Sequence, residues 1–419
     1  MSVQKVIVQV AYKFKPVLFK LLPVSLLRKI KTRMIQKNFS ELERLNIIPY
    51  KKERYPFGVN LLGGIRAETG LGQSCRLVAE ELLATDVPMT INNYVQIGNL
   101  KQSDSGFESY ISEEPQYSVN LIHINPHELG LALLQMDRRY WDCRYNIGFW
   151  LWELEEFPEE WVPCIQCMDE IWTPSEFISC AIRKKTSKPV HTVPYCITAK
   201  CDDTCNRETF GLPKDKFLFL MMYDSNSVME RKNPIGVIRA FRQAFSSTED
   251  GVGLVIKVSS AEKGELNELK KELAEYKNIY FITETLSKEK VNSLIACVDT
   301  IVSLHRAEGF GLVLAEAMYL GTPTIATNWS ANTEFMNSEV ACMIDYRLVE
   351  IKETVGPFQK GQKWADPDLT EAAMYMRKLY SDRLFHKNIA DKAKVYIREK
   401  LGMNQAVHKI KERLQKLQN

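Results

Sequence analysis

Twice along this chain a series of short apolar runs alternates with amphipathic segments, and the polar stretch TAKCDDTCNRET (198–209) separates the two series. Short apolar runs suit strands buried on both faces, and the segments between them suit helices that cover such strands. In the first series FGVNLLGG (57–64) reads as the opening strand, followed by a glycine-containing loop and a helix from about Gln73 to Leu83. SVNLIHIN (118–125), YNIGFWLW (145–152), EIWTP (170–174) and HTVPYCI (191–197) supply further strands. The second series restarts with KFLFLMMYD (216–224), a helix over NPIGVIRAFRQAF (233–245), GLVIKVSS (253–260), NIYFIT (278–283), DTIVSL (299–304) and TPTIAT (322–327). Repeated βα units wind into parallel sheets, so the expected class is α/β, with two Rossmann-like domains facing a cleft. No internal period is visible, which argues against a solenoid.

The 419 residues are too many for one ordinary core, and 45% hydrophobic with 26% charged residues excludes a disordered or fibrous chain. The formal charge of +3 hides an asymmetry: residues 1–40 hold nine Lys/Arg and no Asp/Glu, against 46 basic and 52 acidic residues elsewhere. Within residues 5–37 bulky aliphatics interleave with the cations, the apolar runs are too short to span a bilayer, and Pro16 and Pro23 interrupt any helix. Such an arm can lie on an anionic membrane surface, or it can be solvated or docked on the body, and the pattern excludes none of these. Without a basic stripe elsewhere, nucleic acid is not an expected partner. Ten scattered cysteines and no cleavable signal point to a reducing, cytoplasmic setting, peripheral on the inner membrane face if the arm binds lipid. Cys164, Cys167, Cys201 and Cys205 can be spelled as a zinc site, but the first two lie in WVPCIQCMDEIW, whose helical apolar spacing favours buried structural thiols.

The stretch HRAEGFGLVLAEAMYLGTP (305–323) carries the most chemistry. DTIVSL ends as a strand, residues 305–311 turn, and LVLAEAMYL runs as a helix that Gly321 can end, with Pro323 just beyond. Gly309 and Gly311 let the backbone come close to a ligand, and the amides of Phe310, Gly311 and Leu312 at the helix start would face an anion. Glu308 and Glu316 would repel a phosphate, so they must address another part of the same ligand, and a carboxylate accepts hydrogen bonds well from sugar hydroxyls. Glu316 can also be read as a solvated helix residue, although its flanks Leu314, Ala315, Ala317 and Met318 suggest burial, where an unpaired glutamate is costly.

Glu308 and Glu316, with the seven residues GFGLVLA between them and EAMYLGTPTIAT following, resemble the E-x7-E signature of glycosyltransferase family 4, retaining sugar-nucleotide enzymes of the GT-B fold. The likeness extends loosely over the chain after about residue 55 and is nearest to bacterial glycan-assembly members with RKNP and WxWE segments. It implies that Glu308 contacts the transferred sugar, that Glu316 contacts the ribose, and that the amides between them hold sugar or phosphate. It also implies that the loop RAETGLGQSC, with Gly70 and Gly72, approaches the donor diphosphate across the cleft, where a glycine pair before a helix is otherwise an ordinary turn. Lys232 stands where the family carries its phosphate lysine. The usual arginine position holds Asp224 and Ser225, so the neighbouring Arg231 is the candidate replacement.

Lys257 is a further phosphate candidate, because a lysine inside an apolar strand needs a partner. Asn125 stands where the family often places a histidine facing the donor sugar, with His123 and His127 beside it. Glu153 and Trp152, at the end of an apolar run, are acceptor-side candidates, although aromatics in a strand are ordinarily core. Asp366-Pro367-Asp368 spells a D-x-D metal motif far in sequence from the donor features, so neither a metal nor another cofactor is expected.

The expected layout is a basic arm (1–50), an acceptor domain (51–205), a donor domain (206–395) and a C-terminal helix crossing back to the N-terminal domain (396–419). The expected reaction moves a hexose, with retention, from a UDP- or GDP-sugar to a hydroxyl of a glycan, on a lipid carrier if the arm binds membrane. An epimerase or hydrolase of the same fold, or a non-catalytic sugar-nucleotide-binding protein, is the alternative.

Overall fold

The computed structural model describes residues 42, 45–95, 101–225, 227–260 and 263–418. The basic arm expected over residues 1–40 lies outside them. The described chain forms two compact units: one of the residues up to Trp152, 156–195 and from 404 on, the other of 153–155 and 196–403.

The first unit contains β1 (Val59–Gly63), α1 (Gly70–Leu83), β2 (Met89–Asn93), β3 (Val119–His123), α2 (Pro126–Gln135), β4 (Tyr145–Phe149), α3 (Val162–Gln166), β5 (Glu170–Thr173), α4 (Glu176–Arg183) and β6 (Val190–Thr192). All pairings are parallel, in the order β2-β1-β3-β4-β5-β6. Register is pinned by a polar ladder through the apolar sheet. Asn60 donates to Asn120 at 2.9 Å and Asn120 to Asn146 at 2.7 Å, across the register pairs of β1, β3 and β4. A one-residue slip would leave these buried amides unpaired.

The second unit contains β7 (Phe217–Asp224), α5 (Met229–Lys232), α6 (Pro234–Ala244), β8 (Val252–Ser259), α7 (Lys263–Glu272), β9 (Ile279–Ile282), α8 (Lys288–Cys297), β10 (Thr300–Ser303), α9 (Leu312–Leu320), β11 (Thr324–Thr327), β12 (Cys342–Ile344), the hairpin β13 (Tyr346–Glu350) and β14 (Lys363–Pro367), α10 (Leu369–Ser381) and α11 (Arg383–Lys400). Its main sheet is parallel in the order β12-β11-β10-β7-β8-β9. Phe219, Phe241 and Phe245 pack with Leu254, Ile256 and Met376 between that sheet and the helices α6 and α10. The last helix, α12 (Met403–Gln418), belongs with the first unit from residue 404. Its Arg413 Nε reaches both carboxylate oxygens of the fully buried Glu170 at 3.0 and 2.9 Å, and Tyr145 and Trp172 also donate to that carboxylate.

Two details differ from the sequence pattern. The runs 118–125 and 145–152 are strands only over Val119–His123 and Tyr145–Phe149, so Asn125 caps a helix and Trp150 and Trp152 lie past their strand. The β13–β14 hairpin has no counterpart in the βα pattern, because its two strands are antiparallel and pair with each other outside the main sheet, with β13 mostly exposed.

Candidate active site

In the second sheet β7 and β10 are neighbours, while the chain leaves β7 towards β8 and leaves β10 towards β11. Ligands of open α/β sheets bind beyond the carboxyl ends of strands at such a switch point, where diverging connections open a crevice. The two connections here are residues 225–233 and 304–311, which hold Arg231, Lys232 and Glu308.

These three side chains meet. Lys232 donates to Glu308 Oε1, and Arg231 Nη1 stands 3.6 Å from Glu308 Oε2 while donating to the Ala307 carbonyl at 2.9 Å. Arg231 Nη2 lies 3.8 Å from Glu153 Oε1, which brings a fourth predicted residue into the cluster. Burial alone would push the Glu308 carboxyl up, but the cations of Lys232 and Arg231 outweigh it and hold the group down at about 2. Glu308 is thus an ionised acceptor at any physiological pH. Burial depresses the Lys232 ammonium, and Glu308 draws it only part of the way back.

The turn that presents Glu308 is fixed from below. Asn233, in the left-handed region at φ 53°, accepts from Gly236 N at 3.1 Å and donates to Leu304 O at 2.8 Å, tying the start of α6 to the end of β10. Arg306 N donates to Arg231 O at 2.7 Å. His305 is fully buried with Nε2 3.1 Å from Asn332 Oδ1, and burial lowers its pKa. Asn332 donates to Thr327 O at 3.0 Å, and Thr327 Oγ1 to His305 O at 2.7 Å. Ser330 lies at φ 76°, ψ −159°, a region that costs a side-chain-bearing residue about 1–3 kcal/mol. Of these supports, the Asn-Pro pair in RKNP carries a readable helix-start signal, an N-cap amide before proline at N1. Ser330 and Asn332, in NWSANTE, carry none.

Helix α9 starts at Leu312, with Gly311 at φ 96° as its N-cap and no side chain closing that end. Phe310 is buried against Phe335, and the amides of Leu312 and Val313 have no carbonyl four residues back within the helix. Glu316 is 1% exposed. Lys288 Nζ stands 2.5 Å from its Oε2 in an ion contact without hydrogen-bond alignment, which explains how a glutamate sits in an apolar helix. Gly309 is buried in the turn. Lys257 is 2% exposed, donates to Ser259 Oγ at 2.5 Å, and has its pKa lowered by burial.

In the first unit the switch point falls between β1 and β3. Thr69 caps α1 by accepting from Gly72 N at 3.1 Å. A Cβ at Gly72 would stand 1.9 Å from Ala67 O, whereas one at Gly70 would meet nothing within 4 Å. Gly72 is therefore required for packing, and Gly70 keeps an open face. His123 is buried, stacks on Phe149 at 5.1 Å, and has Nε2 2.6 Å from Ser74 Oγ, whose hydroxyl also meets Tyr195 OH. Burial lowers its pKa to about 4, so it stands neutral. Asn125 Oδ1 accepts from Leu151 N at 2.9 Å, which uses it as a brace between two strand ends. Trp152 is 1% exposed, donates to Glu156 O at 2.9 Å and packs on Phe157 and Trp161, so its faces are covered by protein. His127 is exposed and 5.8 Å from the Trp161 ring.

A groove of about 760 Å³ borders the cluster through Asn233 and Arg306, without Lys232 or Glu308 in its lining. Asp366 of the D-x-D sequence is engaged there by Arg306 at 3.2 Å and Arg347 at 3.0 Å, and Asp368 caps α10. No cluster of three metal-ligating side chains occurs among the described residues. Nor, among them, is any helix long and apolar enough to cross a membrane.

No curated protein sequence matches the chain. Among solved structures it is similar to Anabaena Alr3699/HepE in complex with UDP and glucose, at 14% identity and a TM-score of 0.63 over 86% of this chain and 100% of that one. Sucrose-phosphate synthase from Thermosynechococcus elongatus matches at 14% identity and TM-score 0.61, covering 87% of this chain and 99% of that one. A glycosyltransferase from Rickettsia africae matches at 13% and 0.56, over 87% and 99%. At such identities the likeness establishes the fold. The chain has the two-Rossmann GT-B fold, and its residues 202–395, a little under half of it, match the family model of the glycosyl transferases group 1.

Proposed function

We propose that the chain is a retaining glycosyltransferase of family 4 that moves a hexose from a nucleoside diphosphate sugar to a hydroxyl of a glycan. The observation that carries this reading is the ionised Glu308 held between Arg231 and Lys232 at a sheet switch point, inside the segment that matches group 1 glycosyl transferases. A diphosphate draws on Lys232 and on the unsatisfied amides of Leu312 and Val313, which frees Glu308 to accept from sugar hydroxyls. Glu316, whose Oε2 keeps acceptor capacity beside Lys288, takes the ribose hydroxyls.

In the reaction the bond between the anomeric carbon and the diphosphate oxygen breaks as the acceptor oxygen bonds to the same face, and the acceptor proton passes to the departing phosphate. Cations and helix-start amides hold the diphosphate and gain strength as charge develops on the departing phosphate, and that gain is what accelerates the reaction. No metal is required in this reading, since the cluster supplies the positive charge. The acceptor is carried on a lipid at the cytoplasmic membrane face, with residues 1–40 as the attachment.

The test is a thermal-shift panel of UDP, GDP, ADP and their hexose conjugates, because a ligand stabilises in proportion to the logarithm of its concentration over Kd. HepE, solved with UDP-glucose, makes that sugar nucleotide the first probe. A hit followed by a product that retains the donor's anomeric configuration is the expected result. Donor turnover that needs no acceptor would identify a hydrolase, and no stabilisation by any member would reject the reading.

A further inference from the structure

The main chain of Glu308 is clamped by one short segment. Its N–H donates to Ser330 Oγ at 3.0 Å, and its carbonyl accepts from Ala331 N at 3.4 Å. The segment reaches this position only because Ser330 adopts φ 76°, ψ −159°, a conformation natural to glycine alone. Residues 331–334 then turn as a short helix, with Thr333 Oγ1 donating to Ser330 O at 2.8 Å. Ser330 is 4% exposed, and its hydroxyl is turned inward towards Glu308 N and Asn332 Oδ1. Glycine would relieve the strained backbone but could not accept from the Glu308 amide. A strained serine at a site suited to glycine therefore points to the hydroxyl as the reason the residue is there.

We infer that Ser330 is a positioning residue, one that touches no substrate but sets the main chain of Glu308 so that its carboxylate meets the donor sugar. The assignment of the donor sugar to Glu308 rests on the function proposed above, whereas the clamp itself is independent of it.

The experiment compares the full-length protein with Ser330→Gly and Ser330→Ala. Hydrogen exchange is followed on the peptide containing residue 308, and binding and turnover are measured with UDP, UDP-glucose, GDP and GDP-mannose. In Ser330→Gly the melting midpoint should stay within about 3 °C of wild type, since relief of strain offsets the added chain freedom. Exchange at residue 308 should quicken at least about tenfold, a factor that corresponds to one lost hydrogen bond. Affinity for the nucleoside diphosphate should hold within about twofold while kcat for the sugar nucleotide falls at least about tenfold, because only the sugar end depends on Glu308. Ser330→Ala should show the same split with a lower midpoint. Unchanged exchange at residue 308, or unchanged kcat, would overturn the inference. If wild type neither binds nor turns over any of the four probes, the functional reading fails on its own and the exchange comparison still decides the clamp.

Discussion

The two units are both six-stranded parallel sheets with one switch point, in the different orders β2-β1-β3-β4-β5-β6 and β12-β11-β10-β7-β8-β9, and they fill that point with opposite chemistry. In the first, neutral groups gather beside the β1–β3 switch point: the Ser74 hydroxyl bonds to both His123 and Tyr195, His123 stacks on Phe149, and Gly72 packs onto Ala67. In the second, the crevice between β7 and β10 gathers two carboxylates and two cations, with Glu308 held ionised. Topology therefore supplies a place for a ligand, and the side chains on the two diverging loops decide whether charged chemistry occurs there.

The largest expected effect is on the charged side. Glu308→Gln should lower turnover by about 10²–10³-fold, the scale seen when one preorganised electrostatic partner is removed, with secondary structure retained by circular dichroism. His123→Gln should leave kcat within a few-fold, because His123 is placed among structural partners. Equal losses from both substitutions would break the comparison between the units.

The neutral side is expected to show itself in stability against pH. His123 has a folded pKa near 4, below its unfolded value of about 6.5, so the unfolded chain takes up a proton first as pH falls. Its contribution is fully present above pH 6.5 and declines between about 6.5 and 4, amounting to roughly 3 kcal/mol in all. His123→Gln should flatten that part of the denaturation profile without abolishing it, since buried His305 is shifted the same way. A profile identical to wild type would mean that His123 is not held neutral.

Arg413→Met should destabilise by about 2–3 kcal/mol, because Glu170 would keep Tyr145 and Trp172 but lose its charge partner. The smallest effects sharpen the role of the glycine pair. Gly72→Ala should cost about 1–3 kcal/mol in chemical denaturation, since the methyl group overlaps Ala67 O, whereas Gly70→Ala should change stability by less than about 0.5 kcal/mol. Loss of turnover in Gly70→Ala at unchanged stability would show that its open face serves a ligand.

Much of this was legible before any coordinates. Period and run length gave both parallel sheets, and the spacing of Glu308, Gly309, Gly311 and Glu316 placed a strand, a turn and a helix correctly around the site, because local rules govern each of these. Trp152 misled for a physical reason: an aromatic past a strand end looks available, and only its packing on Phe157 and Trp161 covers it. Lys288 beside Glu316, and Ser330 beside Glu308, could not be read from the chain. They lie 28 and 22 residues from the groups they serve, on separate elements, and neither sits in a pattern of its own.

The most direct test of the central claim, that the charged crevice of the second unit receives a diphosphate, is calorimetric titration of UDP and GDP into wild type and Lys232→Met. At least one nucleotide should bind wild type, and the substitution should weaken it by about tenfold or more, one charge-assisted contact's worth. Equal affinity for both proteins, or no binding to wild type, would contradict the account.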